Sequence, residues 1–223
     1  MQETNSIEAS EGAHPVLWAM AGIMLGFEVM FAAVAHGLLP PALGRIPIYY
    51  DLAFWDPLFR AALAGHGVAP ELVWSFLTYA FLHAGWLHLL LNGAVFLGLG
   101  NALIRAIGPW RFVATFVITA IAGSLLFALM TQSQGPLVGA SGSLFGFLGM
   151  ITAWQELALR RAGMNRAMIW KRIFGLVLLN VILAIGLVGM GGLLAWQAHL
   201  GGWIAGWLLA YVFPPRGSAI RIL

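Results

Sequence analysis

The sequence predicts an all-α polytopic membrane protein, a bundle of six transmembrane helices with both termini cytoplasmic. Composition is the first reason. Of 223 residues 61% are hydrophobic and 9% charged, against about 45–50% and about 25% in an ordinary soluble domain. So few polar side chains cannot cover a soluble globule of this size, which excludes a cytosolic enzyme and a disordered chain alike. The second reason is length: apolar runs near the roughly 20 residues that cross a bilayer occur at 16–38, 85–103, 110–130, 142–159, 173–188 and 194–213. The third is charge placement. Nine of the eleven basic residues sit at the junction of runs two and three (Arg105, Arg111), between runs four and five (Arg160, Arg161, Arg166, Lys171, Arg172) or after run six (Arg216, Arg221). The stretches 131–139 and 189–192 carry no charge, so the positive-inside rule sends runs two, four and six from outside to inside. A net charge of +3 is too small for a nucleic-acid footprint. Without cysteine there is no disulfide, thiol nucleophile or cysteine-held metal.

Taken in order, residues 1–14 form a cytoplasmic tail with Glu3, Glu8 and Glu11 but no lysine or arginine. That is not the basic start of a cleaved signal peptide, so run one is expected to stay. The membrane domain is 15–214, and 215–223 is a second cytoplasmic tail. Between runs one and two lies a long outer loop, 39–83, rich in aromatics (Tyr49, Tyr50, Phe54, Trp55, Phe59, Trp74, Phe76, Tyr79). Such a segment suits the outer headgroup region as short amphipathic helices; a plain extracellular loop is the simpler alternative. Glu28, alone in run one, must be protonated or paired, and its partner is not evident. Trp86, Trp110, Trp154, Trp170, Trp196, Trp203 and Trp207 read as interfacial and packing residues.

Ionisable groups inside a membrane face the bundle interior or water, and three polar stretches all fall at outer ends of runs. His83, His88 and Asn92 open run two, with His88 and Asn92 on one face at i, i+4. Gly139-Ala-Ser141-Gly142-Ser143 turns into run four. His199 lies in run six, about 7 Å below its outer end at about 1.5 Å per residue, with Gly202 and Gly206 on the same face. Small residues let membrane helices approach closely. If the Gly202/Gly206 strip meets the Gly142/Gly146 strip, Ser141 and His199 meet at one depth. A serine hydroxyl needs a base to become a nucleophile, and His199 is the candidate. The Ser141 backbone N–H at a helix start, with the His88 and Asn92 side chains, are candidate donors to an oxyanion. Glu156 lies roughly 20 Å deeper by helical rise, so no carboxylate completes a triad. Phe145, one turn after Ser141, is placed to hold the imidazole instead.

Together, His83, His88-x-x-x-Asn92, Gly139-x-Ser141-Gly142 and Ala198-His199-x-x-Gly202-x-x-x-Gly206 resemble the rhomboid intramembrane serine proteases. The resemblance covers runs two to six and extends to run one. It implies a six-helix core, a Ser141–His199 dyad open to the outer side, and cleavage of client membrane spans near the outer leaflet without a cofactor. His88 and Asn92 would assist the oxyanion, and His83 would be mainly structural. The loop 189–194 would cap the site, and run five would be the lateral gate. Two features depart from the family pattern. Phe145 stands where many members carry tyrosine, and the Trp-Arg pair typical of the first loop is replaced by Phe59-Arg60 with separate Trp55 and Trp74.

Other readings stay open. Ser141 alone is a common packing residue; Asn92 can tie helices together; His83 can cap or fix a loop. His88 and His199 on facing runs can form a bis-histidine haem site, which leaves the Gly-Ala-Ser-Gly turn without a role. A rhomboid-like client-binding protein without protease activity typically loses the serine or the histidine. The expected partners are single-pass or polytopic membrane proteins and lipid. With no organelle-type leader visible, a bacterial inner membrane is the expected location, with the active site opening to the outer side.

Overall fold

The computed structural model describes residues 13–171, 173–178 and 195–216. In chain order it contains α1 (Pro15–Ala35), three short helices in the long loop, α2 (Arg45–Leu52), α3 (Asp56–Leu63) and α4 (Pro70–Thr78), then α5 (Trp86–Ile107), α6 (Pro109–Met130), α7 (Ser141–Arg161) and α8 (Trp196–Val212). Residues 167–171 and 173–178 are helical as well. Among the described residues strand pairing is limited to one isolated bridge, Phe54 with Leu137. Among the described residues three helices are long and apolar enough to cross a membrane: α1, α5 and α6. With 17 residues, α8 rises about 26 Å, slightly less than the hydrocarbon core of about 30 Å. Most of the fifth expected run, and the 189–194 cap, lie outside the described residues.

Local chemistry sets the helix ends. The side chain of His14, to which the sequence assigned no role, caps α1 by accepting from the Val16 N–H at 3.2 Å. Gly108, at φ +87°, turns α5 directly into α6, and Pro109 supplies a first-turn residue that needs no N–H partner. The turn is held from behind, because Arg216 N–H donates to the Ala106 carbonyl at 2.8 Å. The boundaries moved where polar residues were tolerated: α5 continues to Ile107 and α7 to Arg161, past the expected ends at 103 and 159.

The long loop between α1 and α5 folds as a braced unit. Trp55 Nε1–H donates to the Tyr49 carbonyl and Trp74 Nε1–H to that of Asp51, each at 2.7 Å, while Thr78 Oγ1–H donates to Leu52 O at 2.6 Å. Phe54 fills the space between this loop and α6, with ring centroids 4.9 Å from Phe76 and 6.3 Å from Phe127. Arg60 closes the C-terminal end of α6, donating to the Ala128 carbonyl at 2.7 Å and to that of Thr131, and it pairs with buried Asp56 at 3.4 Å. Those carbonyls have no partner within the helix. Arg60→Gln should therefore cost about 1.5–3 kcal/mol, the range for hydrogen bonds to a charged group, read as lower thermal stability in detergent by circular dichroism.

The core has an aromatic and a small-residue part. Phe96, Phe112, Phe116 and Phe147 interlock where α5, α6 and α7 meet, with centroids 5.2–6.4 Å apart. Between α7 and α8 the backbones themselves touch. A Cβ placed on Gly202 would lie 1.9 Å from the Gly142 carbonyl oxygen, one on Gly206 1.8 Å from that of Gly146, and one on Gly149 2.2 Å from that of Trp203. On its other side α8 approaches α6 in the same manner, Gly201 facing the Ala122 carbonyl and Gly123 that of Ala198. Only glycine permits this approach.

Candidate active site

Ser141 is the first residue of α7. The turn before it requires Gly139, whose φ is +116° and whose N–H donates to the Tyr79 carbonyl at 3.0 Å. His199 lies in the first turn of α8, 4% exposed. The glycine contact just described brings the two together: His199 Nε2 and Ser141 Oγ are 2.8 Å apart. Phe145 stacks flat on the imidazole, with centroids 4.3 Å apart and planes 7° from parallel. For the hydroxyl to donate, Nε2 must be unprotonated, which in a neutral ring requires the proton on Nδ1. Ser143, two residues on, faces away and donates to the Phe116 carbonyl at 2.9 Å.

The α5 residues flank the turn. His88 lies over Gly139, where a Cβ would come within 2.8 Å of both Nε2 and Cε1. Its Nδ1 accepts from the Ala84 N–H at 3.3 Å. Asn92 is buried, and its amide donates to the carbonyl of His88 at 2.9 Å, within its own helix rather than across to a neighbour. The N-cap of α5 is Gly85 rather than His83. The His83 ring is buried and meets His88 edge-on at 5.0 Å. Burial, aided by His88, pulls its basicity down to about 3, so this imidazole is neutral throughout the physiological range.

Three loop residues belong to the same neighbourhood and carried no signal of their own in the sequence. Tyr79 is fully buried; its hydroxyl donates to the Ala120 carbonyl at 2.9 Å and lies where a Cβ on Gly142 would be 3.0 Å away. Burial raises its phenol above the ordinary range, so it remains a neutral donor. Arg45 supplies the missing partner of Glu28 at 2.7 Å, and Tyr49 donates to the His83 carbonyl at 2.7 Å. The i, i+4 spacing of Arg45 and Tyr49 was the available hint, but nothing local tied either to Glu28 or His83.

A helical membrane protein in which two helix starts hold a half-buried serine and a buried histidine in contact is thus the class that fold and site define. The model of the Rhomboid domain matches residues 70–216. An uncharacterized protein of Mycobacterium tuberculosis is 32% identical over 191 residues, 80% of this chain and 76% of that relative. RHOMBOID-like protein 1 of Arabidopsis thaliana is 36% identical over 147 residues (63% of this chain, 34% of that protein). Rhomboid-like protease 3 of Toxoplasma gondii is 32% identical over 148 residues (65% and 54%). The chain belongs to the rhomboid family.

Proposed function

We propose that the protein is an intramembrane serine endopeptidase that cleaves transmembrane segments of client proteins near the outer leaflet with a Ser141–His199 dyad. The observation that carries this reading is the 2.8 Å contact between Nε2 and Oγ across two helices locked by backbone packing. In the proposed reaction His199 Nε2 takes the Ser141 proton as Oγ attacks the scissile carbonyl. The tetrahedral oxyanion is held by the Ser141 N–H with help from His88 and Asn92. The C–N bond then breaks, the imidazolium gives its proton to the leaving amine, and water hydrolyses the acyl-enzyme by the same base. Stacking on Phe145 does the orienting that an acidic residue does in a triad.

The same reading includes six spans, cytoplasmic termini and a site facing the outer side of a bacterial inner membrane, with 189–194 as cap and 173–188 as lateral gate. Clients would enter sideways and unwind, so spans with glycine near the outer end are preferred, each glycine easing unwinding by about 1 kcal/mol relative to alanine. A non-catalytic client-binding role is the second reading. The contact between nucleophile and base, which binding alone does not need, favours the enzyme.

The deciding experiment is labelling of purified protein by a fluorophosphonate probe. Wild type should label, while Ser141→Ala and His199→Ala should not; labelling that survives Ser141→Ala would refute the nucleophile, and a Soret band would revive the haem reading. A graded effect is expected from the stack. An aromatic pair contributes about 0.5–1.5 kcal/mol, so Phe145→Ala should lower kcat roughly 2–10-fold and Phe145→Tyr should retain it, measured on a fluorogenic membrane client.

A further inference from the structure

Outside the dyad, a polar cluster lies where α1, the start of the long loop and the entrance of α5 meet. Glu28, 1% exposed in α1, receives both outer nitrogens of Arg45, Nη2 to Oε1 at 2.7 Å and Nη1 to Oε2 at 3.3 Å. Such a fork-on-carboxylate pair fixes the guanidinium plane as well as its position. The Arg45 guanidinium also lies 4.7 Å over the Phe31 ring. From there Nη1–H donates to the backbone carbonyl of His83. Tyr49 adds a second donor to the same oxygen at 2.7 Å, and its hydroxyl is itself 3.2 Å from Nη1.

The acceptor is one half of a peptide group. Its other half is the Ala84 N–H, which donates to His88 Nδ1 at 3.3 Å. A trans peptide is planar, with C=O and N–H pointing in opposite directions, so two donors gripping the carbonyl also aim the N–H. A cation on the oxygen polarises the amide and makes it a better donor. An imidazole nitrogen that accepts a hydrogen bond bears no proton, so neutral His88 must then carry its proton on Nε2. That nitrogen is on the side of the ring lying over Gly139, next to the serine turn.

We propose that Glu28, Arg45 and Tyr49 are positioning residues that act through the 83–84 peptide to hold His88 with its proton on Nε2, so that the ring presents a donor to the serine turn. The catalytic value of that donor rests on the proteolytic reading above; the tautomer does not. The network also gives a role to a carboxyl group in an apolar helix: Glu28 holds in place the cation that sets the peptide.

The test combines a spectroscopic and a kinetic arm on the full-length chain in detergent. In 15N-histidine NMR, with His88 assigned by its loss in His88→Gln, the wild type should show Nδ1 unprotonated and Nε2 protonated. Tyr49→Phe, which removes one hydroxyl and keeps the ring, and Arg45→Gln should both raise the Nδ1-protonated fraction, and Arg45→Lys should restore much of the wild-type pattern. On a membrane client Tyr49→Phe and Arg45→Gln should each lower kcat about tenfold with KM unchanged, less than the roughly 10²–10³-fold for complete loss of an oxyanion donor. In a His88→Ala background neither should lower it further. If Arg45→Gln fails to fold, Tyr49→Phe decides alone. A wild-type His88 protonated on Nδ1, a tautomer indifferent to Tyr49→Phe, or an undiminished kinetic effect in the His88→Ala background would each overturn the proposal. Should the wild type cleave nothing, the proteolytic reading fails while the NMR arm still decides the tautomer.

Discussion

Ser141→Ala is expected to reduce cleavage of a membrane client to the uncatalysed background. The hydroxyl removed is the atom 2.8 Å from His199 Nε2, and no nearby group takes its place: Ser143 Oγ is engaged with the Phe116 carbonyl behind α7. Where the nucleophile of a serine hydrolase has been removed, as in subtilisin, the loss is on the order of 10⁶-fold in kcat, which sets the scale here. The fold should survive. One hydrogen bond of about 1 kcal/mol is lost, and the helix start depends on the Gly139 turn and the Tyr79 carbonyl rather than on the Ser141 hydroxyl. Ser143→Ala is the matched control and should keep wild-type activity. Single-turnover measurement with a fluorogenic client, beside thermal unfolding of each variant, separates lost chemistry from lost structure. Turnover by Ser141→Ala above background would overthrow the nucleophile.

Gly202→Ala should be nearly as damaging by a different route. Its new methyl group would sit 1.9 Å from the Gly142 carbonyl oxygen, far inside van der Waals contact, and the obstacle is backbone, which cannot rotate away. The helices α7 and α8 must separate, next to Ser141 on one and one turn from His199 on the other. A misplacement of about 1 Å at a reacting pair costs about 10²-fold in rate, and overpacking costs about 1–3 kcal/mol of stability. Ala205→Gly, on the same helix but off the strip, should cost no more than about 1 kcal/mol of stability and leave kcat unchanged. The expected signature is a drop in kcat of about 10²-fold together with a lower unfolding temperature. Unchanged activity would mean that the dyad does not depend on this contact.

Much of this was legible in one dimension because hydrocarbon is an unforgiving solvent. Apolar runs mark the helices, and the few polar residues inside them stand out: His88, Asn92, Ser141 and His199 were visible as a set before any contact was known. The glycine spacings on two runs pointed to a close approach. What stayed hidden is instructive. Glu28 was recognised as needing a partner, yet Arg45 comes from a loop 17 positions on, and no periodicity links an apolar helix to such a loop. Tyr79 looked like one of many loop aromatics, although its carbonyl holds Gly139 and its hydroxyl reaches α6. His83 reads as a capping or loop-fixing residue, and nothing local shows that its backbone carbonyl accepts from both Arg45 and Tyr49.

By itself the sequence determined the membrane environment, the positions of the long helices among the described residues and the residue types able to do acyl-transfer chemistry, since each follows from how single side chains partition between water and lipid. Only the tertiary structure decided which of them touch. Contact depends on backbone approach: two helix starts brought together by glycine facing carbonyl, and one loop peptide oriented by an arginine and a tyrosine from elsewhere. Those are properties of distance and direction between segments, and local composition does not encode them.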